Sequence, residues 1–150
     1  MMKRLSQRDP NWAKQTLGYS GLSMARWGCT TTAVSMLSSY FGEYLSPLQL
    51  AKMPRLYTLK GLILWANLPF KTFKWEWRQF GRDDKKILAS LADPKKACVL
   101  QVNDGKHWVT PVAPYQNGRD YYAIDPIDGK RIRVLQRYPN ITGSSHFVRR

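Results

Sequence analysis

The segment Arg26-Trp27-Gly28-Cys29-Thr30-Thr31-Thr32-Ala33-Val34-Ser35-Met36-Leu37-Ser38-Ser39-Tyr40-Phe41-Gly42 puts a cysteine at the head of an amphipathic helix. Ala33, Met36, Leu37, Tyr40 and Phe41 recur at the spacing of one buried helical stripe. Cys29 falls one turn before Ala33 and so heads the same stripe. A thiol at a helix N-terminus sits beside unpaired backbone N–H groups and the positive end of the macrodipole, which favours the thiolate. Gly28 is expected to let the chain turn tightly ahead of the helix, and Gly42 to end it. The plainer reading makes Cys29 a small buried hydrophobe, the usual state of a free cysteine.

Upstream, residues 1–28 hold few periodic apolar positions and contain Asp9-Pro10, Gly18 and Gly21, the composition of an ordered loop region. Trp12, Tyr19 and Trp27 are expected to anchor it by packing on the body of the domain. Gln7 and Gln15 both precede the cysteine, and a side-chain amide there can donate to an oxyanion. Downstream, Ser46-Pro47 opens a short helix that Pro54 stops, and a second short apolar helix is expected over 59–66. Alternation over 70–80, with Phe73, Trp75 and Trp77 on one side, predicts a half-buried strand. Asp83 or Asp84 then caps a helix through Leu91.

The last third reads as strands. A strand over 97–102 meets the turn Asn103-Asp104-Gly105 and returns over 107–113. After Gln116-Asn117-Gly118 come a strand over 121–124 leading into Asp125-Pro126 and another over 130–135. Helices followed by an antiparallel meander define an α+β domain, a single one over 1–150. Antiparallel pairing can bring His107, at the start of one strand, and Asp125, at the end of the next, to the same end of the sheet. If the cysteine-headed helix packs on that face, Cys29, His107 and Asp125 meet as nucleophile, base and orienting carboxylate. The plainer readings are an edge histidine and a turn-forming Asp-Pro. His146 lies in a Gly-Ser-rich terminal segment and ranks below His107 as a base, while Cys98, in mid-strand, is expected to be buried and inert.

Hydrophobic content of 43% with 13% aromatic residues excludes a disordered polymer. Two cysteines and two histidines show no metal-ligand spacing, so no metal or other cofactor is expected. The net charge of +14 implies an acidic partner: cell-wall polymer, a membrane surface, an acidic protein or nucleic acid. No nucleic-acid-binding motif accompanies it. The basic start is followed by no apolar run, so neither a signal peptide nor a membrane span is expected, and the product is expected in the cytoplasm as synthesised.

Four segments in this order resemble the C39-like peptidases, a branch of the papain-like cysteine peptidase fold. They are Ser6-Gln7-Arg8-Asp9-Pro10-Asn11-Trp12-Ala13, Trp27-Gly28-Cys29-Thr30-Thr31-Thr32, Gly105-Lys106-His107-Trp108-Val109 and Tyr122-Ala123-Ile124-Asp125-Pro126, and the likeness covers nearly the whole chain. The resemblance implies a papain-like fold, a peptide or protein substrate, and Cys29, His107 and Asp125 as the catalytic residues. It also implies an oxyanion-hole glutamine ahead of the cysteine; Gln7 matches best, beside Asp9-Pro10 and Trp12, with Gln15 the fallback. Size and charge suit a phage-encoded member acting on a host protein or cell wall. The competing expectations are a non-catalytic scaffold, as in a phage particle or an inhibitor of a host protein, and a basic nucleic-acid binder.

Overall fold

The computed structural model describes residues 2–150. A one-turn helix, α1 (Met24–Trp27), runs into α2 (Cys29–Tyr40). Gly28 joins them with φ −86°, so it does not serve the tight turn its context suggests. What it supplies is room, because a Cβ there would lie 2.6 Å from the Met24 carbonyl oxygen. Gly42 does end α2, in the left-handed region at φ +81°, with the Glu43 N–H donating to the Ser38 carbonyl at 2.9 Å. Residues Thr31 to Ser38 are all buried, so α2 is a core helix rather than a surface stripe.

Helix α3 (Pro47–Ala51) has Ser46 as its N-cap in a reciprocal capping box with Gln49. The helix expected over 59–66 does not form. Tyr57 and Ile63 pair instead, the Thr58 N–H donates to the Leu62 carbonyl at 2.9 Å, and Gly61 turns the chain at φ +78°. Leu59 and Leu62 stay 80% and 65% exposed at the hairpin tip, where no neighbouring layer meets an apolar helical stripe. The upstream anchors also divide: Trp12 packs against the core, whereas Tyr19 and Trp27 are 81% and 50% exposed. The loop over 1–28 is further interrupted by α1.

The remaining elements are β1 (Phe73–Phe80), α4 (Asp84–Ala92) capped by Asp83, β2 (Lys96–Val102), β3 (His107–Tyr115), β4 (Asp120–Asp125), β5 (Lys130–Arg133), α5 (Val134–Arg137) and β6 (Ile141–Arg149). They form an α+β fold around a six-stranded antiparallel sheet in the order β1-β6-β2-β3-β4-β5. The last strand expected over 130–135 stops at Arg133, because the Asp120 carboxylate takes the Leu135 N–H at 2.9 Å and the chain coils into α5. No helix of the described residues is long and apolar enough to cross a membrane.

Strand β6 changes the topology from a simple meander, since the C-terminal segment inserts between β1 and β2. Its Gly143, Ser144, Ser145 and His146 are all buried, so no polar–apolar alternation marks it in sequence. A Cβ at Gly143 would meet Arg78 Nη1 at 2.5 Å, so the neighbouring strand's side chain occupies that space. One face of the sheet carries α2 with Phe73, Val99 and Phe147; the other carries Ile87 of α4 with Leu100, Val109 and Tyr121.

His146 is closed into this structure. Its Nδ1 and Nε2 pair with Ser90 and Ser144 hydroxyls at 2.8 Å each, and its ring stacks on Trp77 at 4.2 Å. Burial, then the nearby Lys86, lower its pKa to about 4, so the native ring is neutral at pH 7. The unfolded chain takes up this proton near the ordinary value. The contribution is therefore present above about pH 6.5 and lost as pH falls towards 4, amounting to at most about 3 kcal/mol. Denaturant midpoints should fall between pH 6.5 and 4.5 in the native protein, and that slope should flatten in His146→Gln.

Candidate active site

Helix α2 packs on β3, which sets its N-terminus beside the start of that strand. Cys29 opens α2, directly after the one-turn helix α1, and Gly28 ahead of it provides no side-chain cap. His107 opens β3 where the β2–β3 ladder is closed, paired with Val102. Asp125 ends β4, and Thr110 pairs with Ile124 on the same ladder, which carries the carboxylate to the histidine.

His107 Nε2 meets Asp125 Oδ1 at 2.7 Å. That leaves Nδ1 as the nitrogen for the thiol. Half-buried Cys29 contacts Thr30 Oγ1 at 3.8 Å. Burial raises its pKa, but hydrogen bonding and charge from His107, the Trp108 N–H and the Thr30 hydroxyl outweigh it, and the thiol lies below its ordinary value. Conversely, desolvation pulls His107 down, and the Asp125 carboxylate and Cys29 more than reverse this, bringing the imidazole up to about 9. An imidazole held by a carboxylate at one nitrogen and facing a thiol with the other can take the thiol proton and keep it.

Asp125 is 0% exposed yet ionised. Burial works against its charge, and His107, Tyr138 and the Ile127 N–H overcome that and lower its pKa. Oδ1 also accepts from the Ile127 N–H at 3.0 Å, and Oδ2 accepts from Arg137 Nη1 at 3.1 Å and from the Tyr138 hydroxyl. Arg137 spans to Asp128 at 3.0 Å, and the Tyr138 ring lies 5.3 Å from His107. Sequence reasoning missed Arg137 and Tyr138. Their only signal was position after the last expected strand, and the turn of α5 that aims them is set by Asp120.

Of the two glutamines, the structure brings Gln7 to this cluster. Its N–H donates to the Pro126 carbonyl at 2.7 Å, and its buried side-chain Nε2 donates to the Ala25 carbonyl at 3.1 Å, one turn ahead of Cys29. Its Oε1 is buried without a hydrogen-bond partner among the described residues, which places a polar group there at a cost. Gln15 also lies against α1, its carbonyl accepting the Met24 N–H at 2.7 Å, but its side-chain Nε2 donates to the adjacent Thr16 carbonyl at 3.2 Å. Cys98 is buried without a partner for a thiolate, and its thiol is pushed up to about 12. Comparison with family models, with curated proteins and with solved structures returns no match in any of the three.

If the donors on Asp125 maintain the imidazolium, Asp125→Asn should move the His107 titration from about 9 towards the ordinary histidine range. Tyr138→Phe should move it less, since Arg137 and the Ile127 N–H remain. Ring-proton NMR titration reads both, with His146 near 4 as the internal reference.

Proposed function

We propose that the protein is a thiol-dependent amide hydrolase, a cysteine peptidase of papain-like architecture similar to the C39-like peptidases. The observation that carries this reading is the Cys29–His107–Asp125 arrangement, with Asp125 on Nε2 and the thiol pKa lowered by the imidazole. Supporting it, a helix headed by the cysteine packs on an antiparallel sheet whose strands carry the histidine and the aspartate. Gln7 beside α1 supports it as well.

In this mechanism His107 Nδ1 removes the Cys29 proton and the thiolate attacks the substrate carbonyl carbon. The carbonyl oxygen becomes an oxyanion, stabilised by the Cys29 N–H and the Gln7 side-chain amide. The C–N bond then breaks, the imidazolium gives its proton to the departing amine, and a thioester remains. Water, deprotonated by the neutral imidazole, attacks that thioester and releases the acid and the free thiol. The substrate class is a peptide or peptide cross-link, and the net charge of +14 favours one in acidic surroundings.

Iodoacetamide alkylation against pH tests this reading. Cys29 should react below the pH of an ordinary thiol, His107→Ala should remove that advantage, and Cys98 should stay unlabelled in the folded protein. Peptide hydrolysis should fall about 10²- to 10⁴-fold in His107→Ala. Its rate should rise with pH through the thiol's ionisation and decline near 9 as the imidazolium is lost. Alkylation of Cys29 that ignores His107 overturns the proposal.

A further inference from the structure

A cavity of about 500 Å³ lies apart from this site, at the opposite end of the α2–sheet contact. Leu37, which lines it, is eight residues beyond Cys29 in α2, roughly 12 Å along the helix. Its origin is in the sheet. The β2–β3 ladder holds from Val102↔His107 to Leu100↔Val109 and goes no further. Beyond it stands Pro111, which has no N–H to donate, and the β3–β4 register shifts between Pro111 and Ala113. The two strands diverge, and Ala97, Cys98, Pro111 and Ile124 line the gap beneath Leu37.

The lining is apolar, and the charges that border it have one sign. Arg4, Lys96 and Arg131 line the cavity, and no aspartate or glutamate is among its lining residues. None of the three joins an ion pair among the described residues; Arg4 Nε donates to the Gly129 carbonyl at 3.2 Å, and the Arg131 guanidinium lies over the Tyr122 ring at 4.6 Å. The volume is that of a small-molecule site, with an apolar interior and a few convergent polar groups. We propose that this cleft between the diverging strands binds a single-chain anionic amphiphile, its hydrocarbon tail among Leu37, Ala97, Pro111 and Ile124 and its head group on Lys96, Arg4 and Arg131. A free long-chain carboxylate and an anionic lysophospholipid share this chemistry.

The inference is independent of hydrolysis at Cys29, and its readout is binding. Isothermal titration and thermal shift with laurate, below its micelle concentration, should give one saturable site and a raised Tm. Dodecanol, with the same tail and no charge, should bind about tenfold or more weakly, and dodecyltrimethylammonium should not stabilise the protein. Lys96→Glu with Arg131→Glu should weaken laurate binding by about the same factor, and Val112→Trp, at a position 38% exposed on the cavity wall, should abolish it. The ligand series on the unaltered protein needs no variant to fold. Tighter binding of laurate than of lauroyl-lysophosphatidylglycerol identifies the free acid as the source, and the reverse order identifies the lysolipid. Equal affinity for laurate and dodecanol overturns the proposal. So does a stoichiometry above one that Val112→Trp leaves unchanged, which is the signature of diffuse binding to a basic surface.

Discussion

A buried carboxylate must be surrounded by donors or give up its charge, and Asp125 is the place where this chain meets that requirement. His107, the Ile127 N–H, Arg137 and Tyr138 supply the hydrogen bonds. These donors come from β3, from the turn after β4 and from the end of α5, so one ionised group ties three pieces of chain together. The next residue, Pro126, receives the Gln7 N–H and fixes the N-terminal segment to the same point. The contact that orients the imidazole is thus also one that closes the fold, and disturbing it reaches both.

The sheet divides its labour along the β2–β3 seam. Where the ladder is closed, His107 is brought against the head of α2; where it opens at Pro111, the strands part and leave the apolar cleft with its three cations. A proline in a strand that is flanked on both sides normally costs a ladder bond, and here the loss creates space instead of a defect to be repaired. The same helix covers both ends, with Cys29 over the first and Leu37 over the second.

The two histidines show how little residue type says about protonation. Both are nearly buried, yet His107 is raised to about 9 and His146 is lowered to about 4. The difference lies in the partners. His107 faces a carboxylate that stabilises the imidazolium, while His146 meets two hydroxyls and a tryptophan face, with Lys86 adding positive charge nearby.

The α2 helix, the Ser46 cap, the strands at β1 to β4 and the association of Cys29, His107 and Asp125 were legible because periodicity, capping chemistry and strand order are local properties of the chain. The misread segments are those where tertiary surroundings overrule local pattern. Residues 59–66 carry an apolar stripe, but only Ile63 and Trp65 pack on the core while Leu59 and Leu62 stay exposed, and Gly61 folds the segment into a hairpin. β6 carries no alternation because both of its faces and both of its edges are covered, and small polar residues fit there in place of branched apolar ones. Arg137 and Tyr138 were invisible because nothing in their own neighbourhood marks them; the turn that aims them at Asp125 depends on the distant Asp120. By itself the amino-acid order determined which side chains had the chemistry to act and which elements would carry them. Only the tertiary structure decided which nitrogen of His107 is held, which glutamine side chain is tied to α1 and where the sheet opens, because those depend on pairings between residues far apart in the chain.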